Sequence, residues 1–166
     1  MQERAIVVEE RLRTRGLVIL LASIGVAFIA ASVALVSGLS TPPLAFYFIE
    51  AFVVIVFVSA VLAFSRIVVR VVETPPGRTL EVLYGPRGVV RQEFGPGRLV
   101  SAQARNYSMM QMGGWGYRGS LKLLRQAAVV TRSGAALDVR LTGKRRFIVT
   151  VDSPEDFIHA LELPAY

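Results

Sequence analysis

Three groups of side chains in this sequence have types and spacing that could do chemistry. The first is a single carboxylate, Glu50, six residues into an apolar run that begins at Leu44. Six helical residues reach about 9 Å, and an acid at that depth of an apolar helix points to proton movement or to pairing with a partner subunit. The plainer reading is that it reaches the interface or stays neutral. Between Gly16 and Ile49 there is no charge that could pair with it, so a counter-charge would belong to another molecule. The second group is Met109, Met110, Met112, Trp115 and Tyr117, set among four glycines between Asn106 and Ser120. Polarizable and aromatic groups on a glycine-rich loop suit an adaptable partner contact or the bilayer interface; the alternative is that Trp115 packs as core. Thioether ligation of copper lacks the support of a nearby His or Cys.

The third group is basic. Arg66, Arg70, Arg87, Arg91, Arg118, Arg145 and Arg146 are candidate contacts for an anionic surface. From Ile67 onward the chain carries 14 Lys and Arg against 8 Asp and Glu, so most of the formal charge of +7 belongs to that half. The chain has no cysteine, which removes disulfides, thiolate metal sites and thiol nucleophiles. Its one histidine, His159, has neither a serine and carboxylate nor a carboxylate pair in a pattern that would build an active site, and there is no phosphate-cradling Gly-rich run. The expectation is a protein without catalytic residues, metal or cofactor. Stacking aromatics on a basic strand face are scarce, which argues against nucleic acid.

Behind these groups stand two kinds of element. Leu17 to Ser65 is apolar almost without interruption, broken only by Ser37-Gly38-Leu39-Ser40-Thr41-Pro42-Pro43. The two runs, Leu17 to Leu39 and Leu44 to Ser65, each reach about 33 Å as helices, enough for a hydrocarbon core of about 30 Å. They read as an antiparallel transmembrane hairpin, with Ser40 or Thr41 capping the second helix and the two prolines in its first positions. Small residues on the first helix (Ala22, Gly25, Ala27, Ala30, Ala31, Ala34) would let the second approach closely. The apolar core is too long for a cleavable signal and is followed at once by a second span. Arg11, Arg13 and Arg15 flank the first span and Arg66 and Arg70 follow the second, while the connecting turn carries no charge. The excess of basic residues at the two outer ends places both termini in the cytoplasm and the hairpin in the cytoplasmic (inner) membrane.

The expected organisation is a polar arm over 1–16, the hairpin over 17–66, a linker over 67–77 and a domain over 78–166. Ile67 to Val72 is β-branched, yet Arg66 and Arg70 would share a helical face, so strand and helix both stay open there. Thr74-Pro75-Pro76-Gly77 marks the boundary. Beyond it, turn residues separate seven short β-rich runs: Thr79 to Tyr84, Val89 to Phe94, Arg98 to Tyr107, Leu121 to Arg125, Ala127 to Thr131, Ala136 to Leu141 and Arg145 to Val151. The turns Arg132-Ser133-Gly134 and Thr142-Gly143-Lys144 predict that the last three form antiparallel hairpins. A helix closes the chain, with Ser153 as cap, Pro154 and the acids Glu155 and Asp156 in its first turn, and Phe157, Ile158 and Leu161 as its apolar face. Seven strands and one helix suggest a small β-barrel or sandwich plugged at one end.

The run Gly113-Gly114-Trp115-Gly116-Tyr117-Arg118, the strand Ala136 to Leu141, the turn Gly143-Lys144-Arg145-Arg146 leading into Phe147-Ile148-Val149, and Asp152-Ser153-Pro154-Glu155 before the last helix together resemble prokaryotic pleckstrin-homology-like (PH-like) domains. Such domains are often appended to two membrane helices. The resemblance covers roughly residues 78 to 163 and implies a seven-stranded barrel capped by a helix. It implies little about activity, because the fold hosts lipid, peptide and protein binding. Eukaryotic lipid-binding members carry a dense basic cluster on the first two strands, where this chain has only Arg78, Arg87 and Arg91.

These readings favour a membrane-anchored interaction module, an accessory or assembly subunit of a larger membrane complex. A sensor of anionic lipid surfaces comes second, and a small oligomeric pore or transporter component third, with Glu50 as its one lining charge. The expected partners are membrane lipids, other integral membrane subunits and further copies of the same chain.

Overall fold

The computed structural model describes residues 5–12, 14–37, 43–111 and 113–164. The two apolar runs form helices α1 (Arg15–Val36) and α2 (Leu44–Phe64), 22 and 21 residues long and apolar enough to cross a membrane. The chain itself buries almost nothing of them: Leu17 and Gly25 in α1, and no residue of α2. Apolar surface on that scale needs a non-aqueous neighbour, and the helices fit a membrane location. Half-buried residues mark the stripe along which they meet: Leu21, Ile29 and Ser32 with buried Gly25 on α1, and Phe46, Glu50, Val53, Phe57 and Phe64 on α2. Of the small residues only Gly25 is used for close approach, since a Cβ there would stand 3.2 Å from the Phe57 ring. The alanines at 22, 27, 30, 31 and 34 are exposed. Pro43 precedes α2 with an extended backbone and accepts the Phe46 amide at 2.9 Å, so it ends the turn rather than entering the first helical turn. The proposed caps Ser40 and Thr41 lie outside the described residues.

The strands form two sheets. In the first, β1 (Ala5–Arg11), β2 (Ile67–Thr74), β3 (Gly77–Tyr84) and β4 (Val90–Phe94) lie antiparallel in that order. The expected arm therefore contains a strand, and the expected linker is the second strand of the sheet. Its β-branched residues serve both faces: Ile67, Val69 and Val71 enter the core while Val68 and Val72 are buried on the other side. The helical alternative for 67–72 is excluded. In the arm, Ile6, Val7 and Val8 carry the β preference that Glu9, Glu10 and Arg11 masked.

The second sheet holds β5 (Leu99–Tyr107), β6 (Gly116–Ser120), β7 (Gln126–Val130), β8 (Gly134–Leu141) and β9 (Arg145–Thr150), in the order β5-β8-β9-β7-β6. Two expectations change here. Leu121 to Arg125 is a turn, and the strand is the preceding segment Gly116–Ser120, paired antiparallel with β7. The chain segments β7 and β8 do not pair as a hairpin: β9 inserts between them, parallel to β7 and antiparallel to β8. Residues 131–133 bridge over the end of β9 instead. The Thr131 amide donates to Thr150 Oγ1 at 3.0 Å, and Arg132 Nη2 donates to the Val151 carbonyl at 2.9 Å.

The two sheets share one core, in which Phe94 and Phe147 lie 4.7 Å apart between Leu80, Val82, Leu137 and Val149. No strand pairing joins one sheet to the other among the described residues, so the strands make a two-sheet sandwich rather than a closed barrel. Helix α3 (Pro154–Leu161) packs Phe157, Ala160 and Leu161 into that core and touches strands of both sheets. Ser153 makes no side-chain cap; its carbonyl accepts the Asp156 amide at 3.2 Å. Arg78 anchors the far end, donating from Nη1 to the Ala160 carbonyl at 2.8 Å and pairing with Glu162.

The hairpin grows directly out of the first sheet. It is inserted between the paired strands β1 and β2, and the Leu12 amide still donates to the Ile67 carbonyl at 2.9 Å before the chain enters α1. Thr14 Oγ1 donates to the Ser65 carbonyl at 3.2 Å at the helix roots.

Candidate functional site

Three segments converge where the helices meet the sheets. Antiparallel register places Tyr84 opposite Ile67 and Val90 opposite Tyr84, so this end of the first sheet lies beside the end of α2. The connection from β3 to β4 is a 3-10 turn over Pro86–Gly88, fastened by the Gly85 amide to the Arg66 carbonyl at 2.8 Å. Gly85 adopts φ +80°, a conformation that favours glycine, and lies beside the α2 backbone at Leu62 and Ala63. From the second sheet, Gly116 lies against the Phe64 ring, and Tyr117 stands edge-on to Tyr84 with ring centres 6.5 Å apart.

Cavities surround this junction. One, about 700 Å³, is lined by Arg11, Thr14, Arg15, Ser65, Arg66 and Ile67 among others. A smaller one of about 180 Å³ shares Arg66 and adds Glu9, Arg70 and Arg87. A third, about 410 Å³, lies between Phe64, Tyr84, Val90, Arg91 and Tyr117. Val89 and Val90 stand beside it, 81% and 57% exposed.

The seven arginines singled out in the sequence are thus partly gathered and partly not. Arg66, Arg70, Arg87 and Arg91 lie around the junction, but two of them are committed. Glu81 is fully buried on the outer face of β3; Arg70 Nε pairs with it at 2.8 Å and Arg91 Nη2 pairs with its other oxygen, while Arg91 also holds Glu93. Arg146 is committed in the same way on the other sheet. There Asp138 is fully buried and is bound by Arg146 and by the Tyr107 hydroxyl at 2.8 Å, with Arg105 at 3.9 Å. Leaving either buried acid without its guanidinium costs on the order of 3 kcal/mol, so these pairs read as architecture rather than as free anion contacts. Burial and then the Asp138 carboxylate push the Tyr107 hydroxyl above its usual range, and burial does the same to Tyr84. Arg145 lies with Arg140 and Lys144 around a separate cavity of about 450 Å³. Arg118 is exposed on the outer face of β6.

The methionine and aromatic group is likewise divided. Met109 packs with Tyr107 on Ala128, Val130, Ala136 and Ile148, covering the outer face of the second sheet. Met110 is 84% exposed, Trp115 is half-buried, and Tyr117 belongs to the junction. Met112 lies outside the described residues. Among the described residues no set of three His, Cys, Asp or Glu side chains could hold a metal ion. Glu50 faces α1 rather than the outside of the hairpin, level with Ser32 by the register that sets Gly25 against Phe57, and has no ion-pair partner among the described residues.

The chain matches no known family model, no curated protein and no solved structure. Its function has to be read from its own geometry.

Arg11 and Arg15 line the cavity at the helix roots although sequence reasoning used them only for orientation. The signal was available: they flank the first span as Arg66 flanks the second, and antiparallel helices must bring those flanks together.

Proposed function

We propose that the protein is a non-enzymatic, membrane-anchored interaction module, an accessory or assembly subunit of a larger membrane complex in the cytoplasmic membrane of a prokaryote, with both termini cytoplasmic. The observation that carries this reading is the insertion of the hairpin between paired strands. A tether would be joined by a flexible segment; here β1 runs into α1 and α2 into β2 with hydrogen bonds across the root. The β domain is held at a set height and orientation above the bilayer, which suits presenting a surface to neighbouring subunits. Met110 and Tyr117, exposed on the domain, are the contact candidates. A PH-like character for the domain is supported by the strand-rich core and its closing helix, while the parallel pairing of β7 and β9 and the open two-sheet arrangement depart from the barrel the resemblance implies.

Mild detergent extraction of the native membrane, native-gel separation and mass spectrometry test the reading. Co-migration with other integral membrane proteins at a fixed stoichiometry is the expected result. A chain that runs alone or only with its own copies overturns it. A second reading, the sensing of anionic lipid surfaces, is favoured by Arg15, Arg66 and Arg87 at the junction, which have no carboxylate partner among the described residues.

A further inference from the structure

We propose that the cavity at the root of the hairpin is a binding site for the headgroup phosphate of an anionic phospholipid, held between Arg15 at the start of α1 and Arg66 after the end of α2. The inference rests on the membrane reading of the two helices and goes beyond it by naming the ligand class and the residues. The cavity lies where both helices end, which is the depth of the lipid phosphates if the helices span the hydrocarbon core. Its volume of about 700 Å³ accommodates a glycerophosphate headgroup.

Its chemistry suits an anion. Arg11, Arg15 and Arg66 line it, and Arg87 is joined to it through the smaller cavity that shares Arg66. The acid of the neighbourhood is Glu9, which lies 3.8 Å from Arg11 and leaves Arg15 and Arg66 without an ion-pair partner among the described residues. Arg70 nearby is taken by Glu81. The two hydroxyls of the lining cannot serve as donors, because Thr14 donates to the Ser65 carbonyl and Ser65 to the Leu62 carbonyl. The guanidinium groups must therefore do the binding, and their planar forks match phosphate oxygens two at a time. A lipid satisfies the site better than a soluble phosphate because apolar chain surrounds it: Leu12, Leu17 and Ile67 are buried at the root, and the exposed apolar sides of both helices lead away from it.

The test uses the full chain reconstituted in nanodiscs of phosphatidylcholine with and without phosphatidylglycerol, with retained lipid read by native mass spectrometry. Wild-type protein is expected to enrich phosphatidylglycerol over phosphatidylcholine, and the double variant R15Q/R66Q to lose that enrichment by roughly tenfold. R118Q/R140Q, which removes the same charge away from the junction, is expected to keep it. Trp115, the single tryptophan, reports whether each variant keeps the native fold. If R15Q/R66Q does not fold, R15K/R66K takes its place, expected to weaken the enrichment by keeping charge but losing the fork. Enrichment that is absent in wild type, or equal in R15Q/R66Q and wild type, overturns the site, as does displacement of the lipid by millimolar inorganic phosphate. Release of the protein from membranes by alkaline carbonate defeats the membrane reading and the site together, whereas a retained protein without lipid preference defeats the site alone.

Discussion

Glu10 shows how a single residue couples this domain's stability to pH. It lies half-buried on β1, where its Oε1 accepts the Asp152 amide at 2.7 Å just before α3. Burial raises its carboxyl above the ordinary glutamate value of 4.5, opposed by that hydrogen bond and reinforced by the nearby Asp152 charge. A carboxyl raised in the folded state binds its proton more tightly there than in the unfolded chain. Below pH 4.5 both states are protonated and there is no penalty; as pH rises through the raised value the unfolded state releases its proton first and stability falls. Glu10→Gln, which keeps the acceptor and removes the charge, should raise the melting temperature at pH 7.5 by about 2 °C, and the gain should vanish near pH 4. A gain that persists unchanged at pH 4 would assign the effect to packing instead. At this scale the sequence displayed the arginines but hid their state. Glu81 and Asp138 look like ordinary polar alternations along their strands, and nothing local announces that each is fully buried beneath its arginines. Pairing across a sheet is a long-range property, so the commitment of Arg70, Arg91 and Arg146 was not legible, whereas the convergence of Arg15 and Arg66 followed from the hairpin alone.

Among the elements, those whose signal is local were read correctly. The two apolar helices, the alternating strands β3, β5 and β8, and the proline-started α3 each carry their pattern within their own residues. Three strands were not so legible: β1, where charged residues masked the β-branched run, β2, whose β-branched run left strand and helix open, and β6, Gly-Tyr-Arg-Gly-Ser, which has almost no strand preference of its own and exists because β7 pairs with it. Gly119 makes that pairing possible. It holds φ +78°, and a Cβ there would stand 2.3 Å from the Gln126 carbonyl oxygen across the strand pair. Gly119→Ala must therefore push β6 away from β7, at a cost of about 2 kcal/mol or more from strain and lost pairing. Trp115 immediately precedes β6 and is half-buried, so its emission should shift to the red in the variant while the far-ultraviolet signal of α1 and α2 is retained. An unshifted emission with wild-type stability would mean that β6 is not held as described. The same dependence on a partner explains why the insertion of β9 between β7 and β8 was missed: two turn-linked β runs look like a hairpin from sequence, and only a third strand with a competing register separates them.

For the molecule as a whole, the pairing of β1 with β2 constrains topology more tightly than the charge rule does. Arginines near the span ends argue for cytoplasmic termini by a statistical preference. Strand pairing is a geometric constraint: Ala5 to Arg11 is hydrogen-bonded alongside Val68 to Glu73, so the segment before the first span and the domain after the second must occupy the same side of the membrane. An unpaired edge strand in the bilayer would leave its backbone groups without partners, which closes the alternative. The chain has no native cysteine, so single cysteines report accessibility without background. In sealed right-side-out vesicles, cysteines placed at Ala5 and at Lys144, both exposed, should resist a membrane-impermeant maleimide until the vesicles are opened. One at Ser37, at the end of α1, should label from outside. Ala5 and Lys144 labelling together from outside would reverse the orientation and leave the fold standing. Ala5 and Lys144 labelling from opposite sides would break the sheet itself, and with it the hydrogen-bonded root on which both the proposed presentation of the domain and the proposed phosphate site depend.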